Sequence, residues 1–290
     1  MTGFSSDSWV ILSEIEKSIK EKIEKIGTPL KDWDISINYG IKTGFNDAFI
    51  IDGSKRKELI DEDPKSAEII RPLLRGRDIK RYSYEFADLY LITTFPSLKI
   101  DIEKYPAVKQ HLMSFGYDRL KQTGDKGARK KTNNQWFETQ DSIGYWEDFS
   151  KQKITYIEIM TDNPEAGYEF PCFSFDKKNC VALNTAYIMT GNVVEIQHIL
   201  GILNSKLGKL LVKNYVVQLQ QRQFRMLNQY VVNFPIPKIE KTSNISKLVD
   251  KIILFKEQLK DTKVLEEEID FETYKLFGFN TEEVEYINNI

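Results

Sequence analysis

The segment NFPIPKIE (233–240) places two prolines within three residues, and neither a central strand nor a helix runs through such a pair. It separates two regimes of hydrophobic spacing. After it the spacing is helical: Ile245, Leu248, Ile252, Phe255 and Leu259 step by three and four, LEEEIDFETYKLFGF forms a second helix ending at Gly278, and Asn280 with Glu283 makes a capping box for a third. Before it, short period-two runs dominate. Ile35, Ile37, Tyr39 and Ile41 alternate with smaller or polar residues, KTGFND interrupts and AFIID resumes, which signals two strands joined by a glycine-bearing loop. DLYLIT (88–93), KITYIEIM (153–160), EFPCFSF (169–175), VALNTAYIMTG (181–191) and NYVVQL (214–219) are further strand candidates.

Helices are expected between them at SAEIIRPLL, EKYPAVKQHLMSF and VVEIQHILGILNSKLGKLLVKN. At the amino end, Leu12, Ile15, Ile19, Ile23 and Ile26 form one apolar stripe, closed by Gly27 and Pro29. The fold class expected is α+β: a mixed, largely antiparallel sheet with interleaved helices and a helical C-terminal tail. The corresponding boundaries are a helix over 1–32, a body over 33–240 and a helical segment over 241–290.

No run approaches the roughly 18 to 20 apolar residues of a membrane span, and no secretory signal opens the chain, so a cytoplasmic location without membrane partners is expected. Cys172 and Cys180 are too few for a disulfide framework, and His111 and His198 stand far from them in sequence, so no zinc site is expected. The net charge of −2 conceals a gradient. Residues 261–290 hold nine acids against Lys263 and Lys275, a net −7, which leaves +5 on residues 1–260. A basic body beside an acidic tail makes nucleic acid a partner to consider.

Several chemistries lack their signatures. No G-x-G-x-x-G or G-x-x-x-x-G-K-[ST] occurs, so no cofactor is expected in this chain. TDNPEAGY (161–168) shares only its Asn-Pro with the adenine methyltransferase signature, and Asn-Pro is mostly a turn signal. Asp78-Ile79-Lys80 fits the second half of a metal-dependent nuclease pattern, which keeps open a Mg²⁺-dependent DNA endonuclease using Asp78 and Lys80.

Three cationic clusters remain. In IIRPLLRGRDIKRY (69–82), Arg75, Arg77, Lys80 and Arg81 surround Gly76, which relaxes the backbone, and Asp78. RLKQTGDKGARKKTNNQW (119–136) carries Lys126, Arg129, Lys130 and Lys131 on what reads as a mobile loop. QLQQRQFRMLNQY (218–230) concentrates Gln220, Gln221, Arg222, Gln223 and Arg225, side chains that pair with adenine and guanine edges. A charge run is usually a solvated face, and intramolecular salt bridges with Asp78 or Glu85 are the competing use for the first cluster's arginines. The coincidence of three such clusters in a mildly acidic chain favours a nucleic-acid footprint.

GIKTGFNDAFIID (40–52), IIRPLLRGRDIKRY, KQKITYIEI (151–159), GILNSKLGKLL (201–211) and NFPIPKI, in this order, resemble the TaqI-type C-terminal specificity domain of type IIG restriction-modification enzymes. The resemblance implies a target recognition domain over 33–240 that selects a short sequence in double-stranded DNA. Adenine methylation with S-adenosylmethionine, and Mg²⁺-dependent cleavage, would belong to parts of a parent protein outside this chain, joined in cis or as a subunit; a scaffold that recruits a methyltransferase is the remaining rival. Lys42, Thr43, Asn46 and the 220–225 set are the candidate base contacts. The 75–81 and 119–131 clusters are the candidate phosphate contacts, with Asp78 positioning an arginine.

Overall fold

The computed structural model describes residues 13–239 and 243–290. Leu12 and the chain before it lie outside them. Helix α1 (Glu14–Ile26) starts at Ser13, whose hydroxyl accepts from the Glu16 amide while the Glu16 carboxylate takes the Ser13 amide. Strands β1 (Thr28–Pro29) and β2 (Ile35–Tyr39) follow, then a single turn α2 (Asn46–Phe49), β3 (Ile50–Asp52) and α3 (Gly53–Glu62). Next come β4 (Ile70–Leu74), β5 (Leu89–Ile92), α4 (Pro106–Met113) and α5 (Tyr117–Leu120). After a long connection, β6 (Lys153–Ile157), β7 (Ile159–Thr161), β8 (Phe173–Asp176), β9 (Val181–Ala182) and β10 (Ala186–Gly191) lead into α6 (Val193–Asn204) and α7 (Lys206–Tyr215). Strand β11 (Gln223–Arg225), α8 (Asn228–Val231) and β12 (Pro235–Ile236) complete the body, and α9 (Asn244–Glu257), α10 (Lys263–Phe277) and α11 (Thr281–Asn288) form the tail.

Two four-stranded sheets carry the body. One runs β2-β10-β6-β8, antiparallel throughout; the other runs β3-β5-β4-β9, antiparallel except for the parallel β4–β9 pair. The mixed, largely antiparallel α+β expectation holds. The two proline-bearing strands β1 and β12 form a two-stranded sheet with each other, and β11 forms another with β7. Helix α6 packs against the first sheet and α9 packs on α6 so closely that a Cβ on Gly201 would lie 2.2 Å from the Ile245 side chain. Helix α10 covers α9 and touches α6 and α7.

Local expectations are revised at four places. SAEIIRPLL is not a helix: residues 64–68 make a 3-10 turn and IIRPLL becomes β4. Pro72 supplies no amide and holds Arg71 extended, which favours a strand over a helix. NYVVQL is not a strand. The apolar face of α7 carries the helix to Tyr215, and the residues after it form one arm of a hairpin. The two strands expected between 33 and 52 exist but do not pair: β2 lies against β10 and β3 against β5. The long helix expected over 193–214 breaks at Ser205, whose hydroxyl accepts from the Gly208 amide and starts α7.

Candidate nucleic-acid interface

The Arg-Gly-Arg-Asp element is a 3-10 turn at Gly76–Asp78 between β4 and β5. Asp78 is 4% exposed, and its carboxylate accepts from the Arg75 amide, from Nε at 3.0 Å and from Nη2 at 2.7 Å. This bidentate pairing raises the Arg75 pKa. The Asp78 carboxylate is thus engaged by Arg75 within the same turn, and it is the group that a nuclease would aim at a metal. Lys80 faces Glu85 at 3.6 Å. Arg81 turns inward, held by Glu266 at 2.6 Å, Glu169 at 3.5 Å and the Pro171 carbonyl at 3.2 Å. Arg77 alone of the set is exposed and forms no ion pair among the described residues. Gly76 does not adopt a positive φ. Its amide donates to Thr185 Oγ1 at 3.0 Å, and a Cβ there would lie 3.1 Å from the Thr185 carbonyl, so its role is close approach rather than relaxation.

The glutamine-rich stretch is a hairpin. The Arg225 amide donates to the Val217 carbonyl, Leu219 donates to Gln223, and Gln218 bridges Phe224. One arm pairs with β7, and Phe224 anchors it by stacking on Phe170 at 5.4 Å. The tip, Gln220–Arg222, is held in shape at Arg222, whose φ of 61° lies in the left-handed region. The Arg222 carbonyl accepts from the Asp162 amide, while its guanidinium lies 3.2 Å from the Asp162 carboxylate. Burial raises the Asp162 pKa, but Lys213 at 3.0 Å, Lys209 and Arg222 together bring it below the ordinary value. Gln220, Arg222 and Arg225 are exposed and Gln223 is half-buried; the Gln221 side chain lies outside the described residues.

Residues 119–140 fold around one arginine. Arg129 is 2% exposed and donates from Nε to Leu120, from Nη1 to Thr43 and Glu138, and from Nη2 to Trp136, all backbone carbonyls within 3.0 Å. Burial lowers its pKa to about 10, which still leaves it cationic at neutral pH. Its assignment as a phosphate contact is corrected by this burial: it braces the loop and ties it to residues 42–46. Lys126, Lys130 and Lys131 are exposed, and none forms an ion pair among the described residues. Thr43 is 1% exposed and its hydroxyl caps the local turn, accepting from the Phe45 amide and donating to Asn46 Oδ1, so it does not reach outward. Lys42 and Asn46 are exposed.

The turn at 183–185, absent from the residues singled out above, joins these parts. Leu183 donates to Leu74, Asn184 to Ile41, and Thr185 accepts from Gly76 through its hydroxyl and from Glu158 through its carbonyl. The 40–46 loop, the Arg77 turn and the β6–β7 segment that carries the hairpin are therefore contiguous. Between the last two lies a cleft of about 520 Å³ whose walls include Arg77, Lys80, Glu158, Tyr168 and Thr185. The 75–81 cluster lines this cleft through Arg77 and Lys80, and the hairpin reaches its wall where Arg225 pairs with Glu158 at 3.0 Å; the 119–140 loop is tied to the 40–46 loop through Arg129 and the Thr43 carbonyl. Glu158 and Thr185 sit inside ordinary strand runs and carry no signal of their own in sequence. Among the described residues no three His, Cys, Asp or Glu gather as metal ligands, and no helix is long and apolar enough to cross a membrane.

The family model described as a TaqI-like C-terminal specificity domain matches residues 71–236. No curated protein matches the chain in sequence. Among solved structures, the type IIL restriction-modification enzyme MmeI, determined in complex with DNA, superposes with a TM-score of 0.57 at 14% identity, covering 91% of this chain and 37% of its own. The type IIG restriction endonuclease BpuSI gives a TM-score of 0.53 at 13% identity, covering 96% of this chain and 33% of its own. At such identities the likeness is one of fold. The chain spans about a third of the length of either enzyme.

Proposed function

The chain belongs to the TaqI-like C-terminal specificity domain family, and on that footing we propose that it binds double-stranded DNA and selects a short target sequence within it. The observation that carries this reading is that the Arg77 turn and the glutamine-rich hairpin adjoin one cleft, Arg77 lining it and Arg225 pairing with Glu158 on its wall. Lys42, Lys126, Lys130 and Lys131, like Arg77 exposed and without internal ion pairs among the described residues, ride on loops that Arg129 ties together, while the hairpin presents Gln220, Gln223, Arg222 and Arg225. The cations supply affinity through phosphates; the hairpin, a two-stranded element of the kind a major groove admits, supplies base contacts. Methylation with S-adenosylmethionine and Mg²⁺-dependent cleavage belong, in this reading, to other parts of a longer protein or assembly, which accords with the third of MmeI and BpuSI that the chain spans.

Fluorescence anisotropy with labelled duplexes at graded salt tests it. Affinity is expected to fall linearly on a log–log plot, and Lys130→Ala to weaken every sequence alike while reducing the slope by about 1. Arg222→Ala is expected to relax preference at about one base pair. Binding that is indifferent to salt, or equal weakening of every probe by both variants, would overturn the division of labour.

A further inference from the structure

Glu158 stands where β6 ends and β7 begins, on the wall of the cleft beside the Arg77 turn. Its backbone is fixed on both sides, the amide donating to Thr185 and the carbonyl accepting from Met226. Its carboxylate is held asymmetrically. Arg225 Nε (3.1 Å) and Nη2 (3.0 Å) both address Oε1, and Oε2 has no hydrogen-bond partner among the described residues. The side chain is 27% exposed and Arg225 is 51% exposed, so the pair opens to solvent. Asp162, the other carboxylate near the hairpin, differs: three cations surround it and it is only 13% exposed.

An oriented, partly exposed carboxylate with one uncommitted oxygen is an acceptor awaiting a donor. The walls around it suit a flat, mostly apolar group, since Gly167, with open space where a Cβ would stand, and Ala166 admit close approach and Ile157 and Ile159 supply hydrophobic surface. In the major groove the base-edge donors are the N4 amino group of cytosine and the N6 amino group of adenine, and acidic side chains accept from such amines. We propose that Glu158 is a specificity-determining residue that accepts a hydrogen bond from the exocyclic amine of one cytosine or adenine in the target, with Arg225 as the positioning residue that turns Oε2 outward. The assignment rests on the DNA-binding reading above.

The test begins with selection from a randomised duplex library by the whole chain, wild type and Glu158→Ala. The wild type is expected to return a motif, and the variant the same motif with preference relaxed by roughly 5- to 150-fold at one position, the range of one base contact. A chemical probe then bypasses any effect of the variant on folding. At that position, duplexes carrying purine in place of adenine, or 2-pyrimidinone in place of cytosine, remove the amine alone. Wild-type affinity should fall by the same factor, and Glu158→Ala should show no further loss. An unchanged motif, losses that multiply between variant and modified base, or sensitivity only to inosine in place of guanine would overturn the assignment while leaving DNA recognition standing. If the wild type returns no motif, sequence selection itself fails, and this assignment with it.

Discussion

Arg129 and Lys130 are neighbours in sequence with the same charge, yet they do opposite work. The Arg129 guanidinium satisfies four backbone carbonyls in the interior; Lys130 projects into solvent. An orphaned buried carbonyl costs about 1 to 3 kcal/mol, and the water or rearrangement that admits relief is limited at a site 2% exposed. Arg129→Met is therefore expected to destabilise the chain by about 3 to 5 kcal/mol in urea titration, with Arg129→Lys recovering little because an ammonium is a point donor that cannot reproduce the planar fork. Lys130→Ala should stay within about 0.5 kcal/mol of wild type. A small loss at Arg129 would mean that the four carbonyls find other donors and that the loop does not depend on its brace. Composition alone made these two residues look interchangeable, because what distinguishes them is a set of carbonyls contributed by residues as distant as Thr43. Arg81 is a parallel case: its partner Glu266 lies 185 residues away.

Among elements, α6 shows how a helix in the core can give the fold a pH dependence. His198, 1% exposed, lies 2.7 Å from Ser243 Oγ through Nδ1 and 3.0 Å from the Pro237 carbonyl through Nε2. A carbonyl only accepts, so the proton sits on Nε2 and Nδ1 accepts from the serine. Ser243 in turn caps α9, which couples the seating of α6 to the start of the tail. Burial depresses the His198 pKa to about 4, against about 6.5 for an exposed histidine. As pH falls below about 6.5 the unfolded chain takes up a proton that the folded chain refuses until about 4, so stability drops across that window by up to roughly 3 kcal/mol. His198→Gln, which keeps a donor for Pro237, should flatten this decline when unfolding free energies at pH 7 and pH 4.5 are compared. An unaltered pH dependence would show that His198 is not its source. The tail helices were legible in sequence because steps of three and four persist over fourteen residues in α9 and fifteen in α10, with Gly278 closing α10 and Asn280 capping the start of α11. The sheets were legible only as strand candidates. Strands of two to six residues say little about their neighbours, and β2 finds β10 while β4 finds β9 across more than a hundred residues of chain. The charge clusters were visible for the same reason as the tail, being local; which of their members face outward was decided by tertiary pairing.

At the scale of the whole molecule, the acidic tail is built into the body. Glu266 takes Arg81 and approaches Lys256, Glu283 takes Lys22 and Ser18 of α1, and Asp270 accepts from the Lys206 amide at the start of α7. Ile269, Tyr274, Phe277 and Ile287 add buried apolar surface to the same core as the sheets. Each such side chain contributes about 1.5 to 3 kcal/mol when buried, so four of them rival the 5 to 15 kcal/mol total stability of an ordinary domain. A chain cut after residue 260 would also leave Arg81, 15% exposed in the intact structure, without its carboxylate at 2.6 Å. Electrostatics alone points the other way: removing a net −7 leaves +5, which should strengthen attraction to DNA. The packing argument predicts that this truncated chain shows no cooperative unfolding transition and exposes hydrophobic surface to a fluorescent dye, whatever its affinity for polyanions. Were it instead to unfold cooperatively and bind duplexes more tightly than the full chain, the tail would be a removable electrostatic screen, and its carboxylates would act on DNA rather than on the fold.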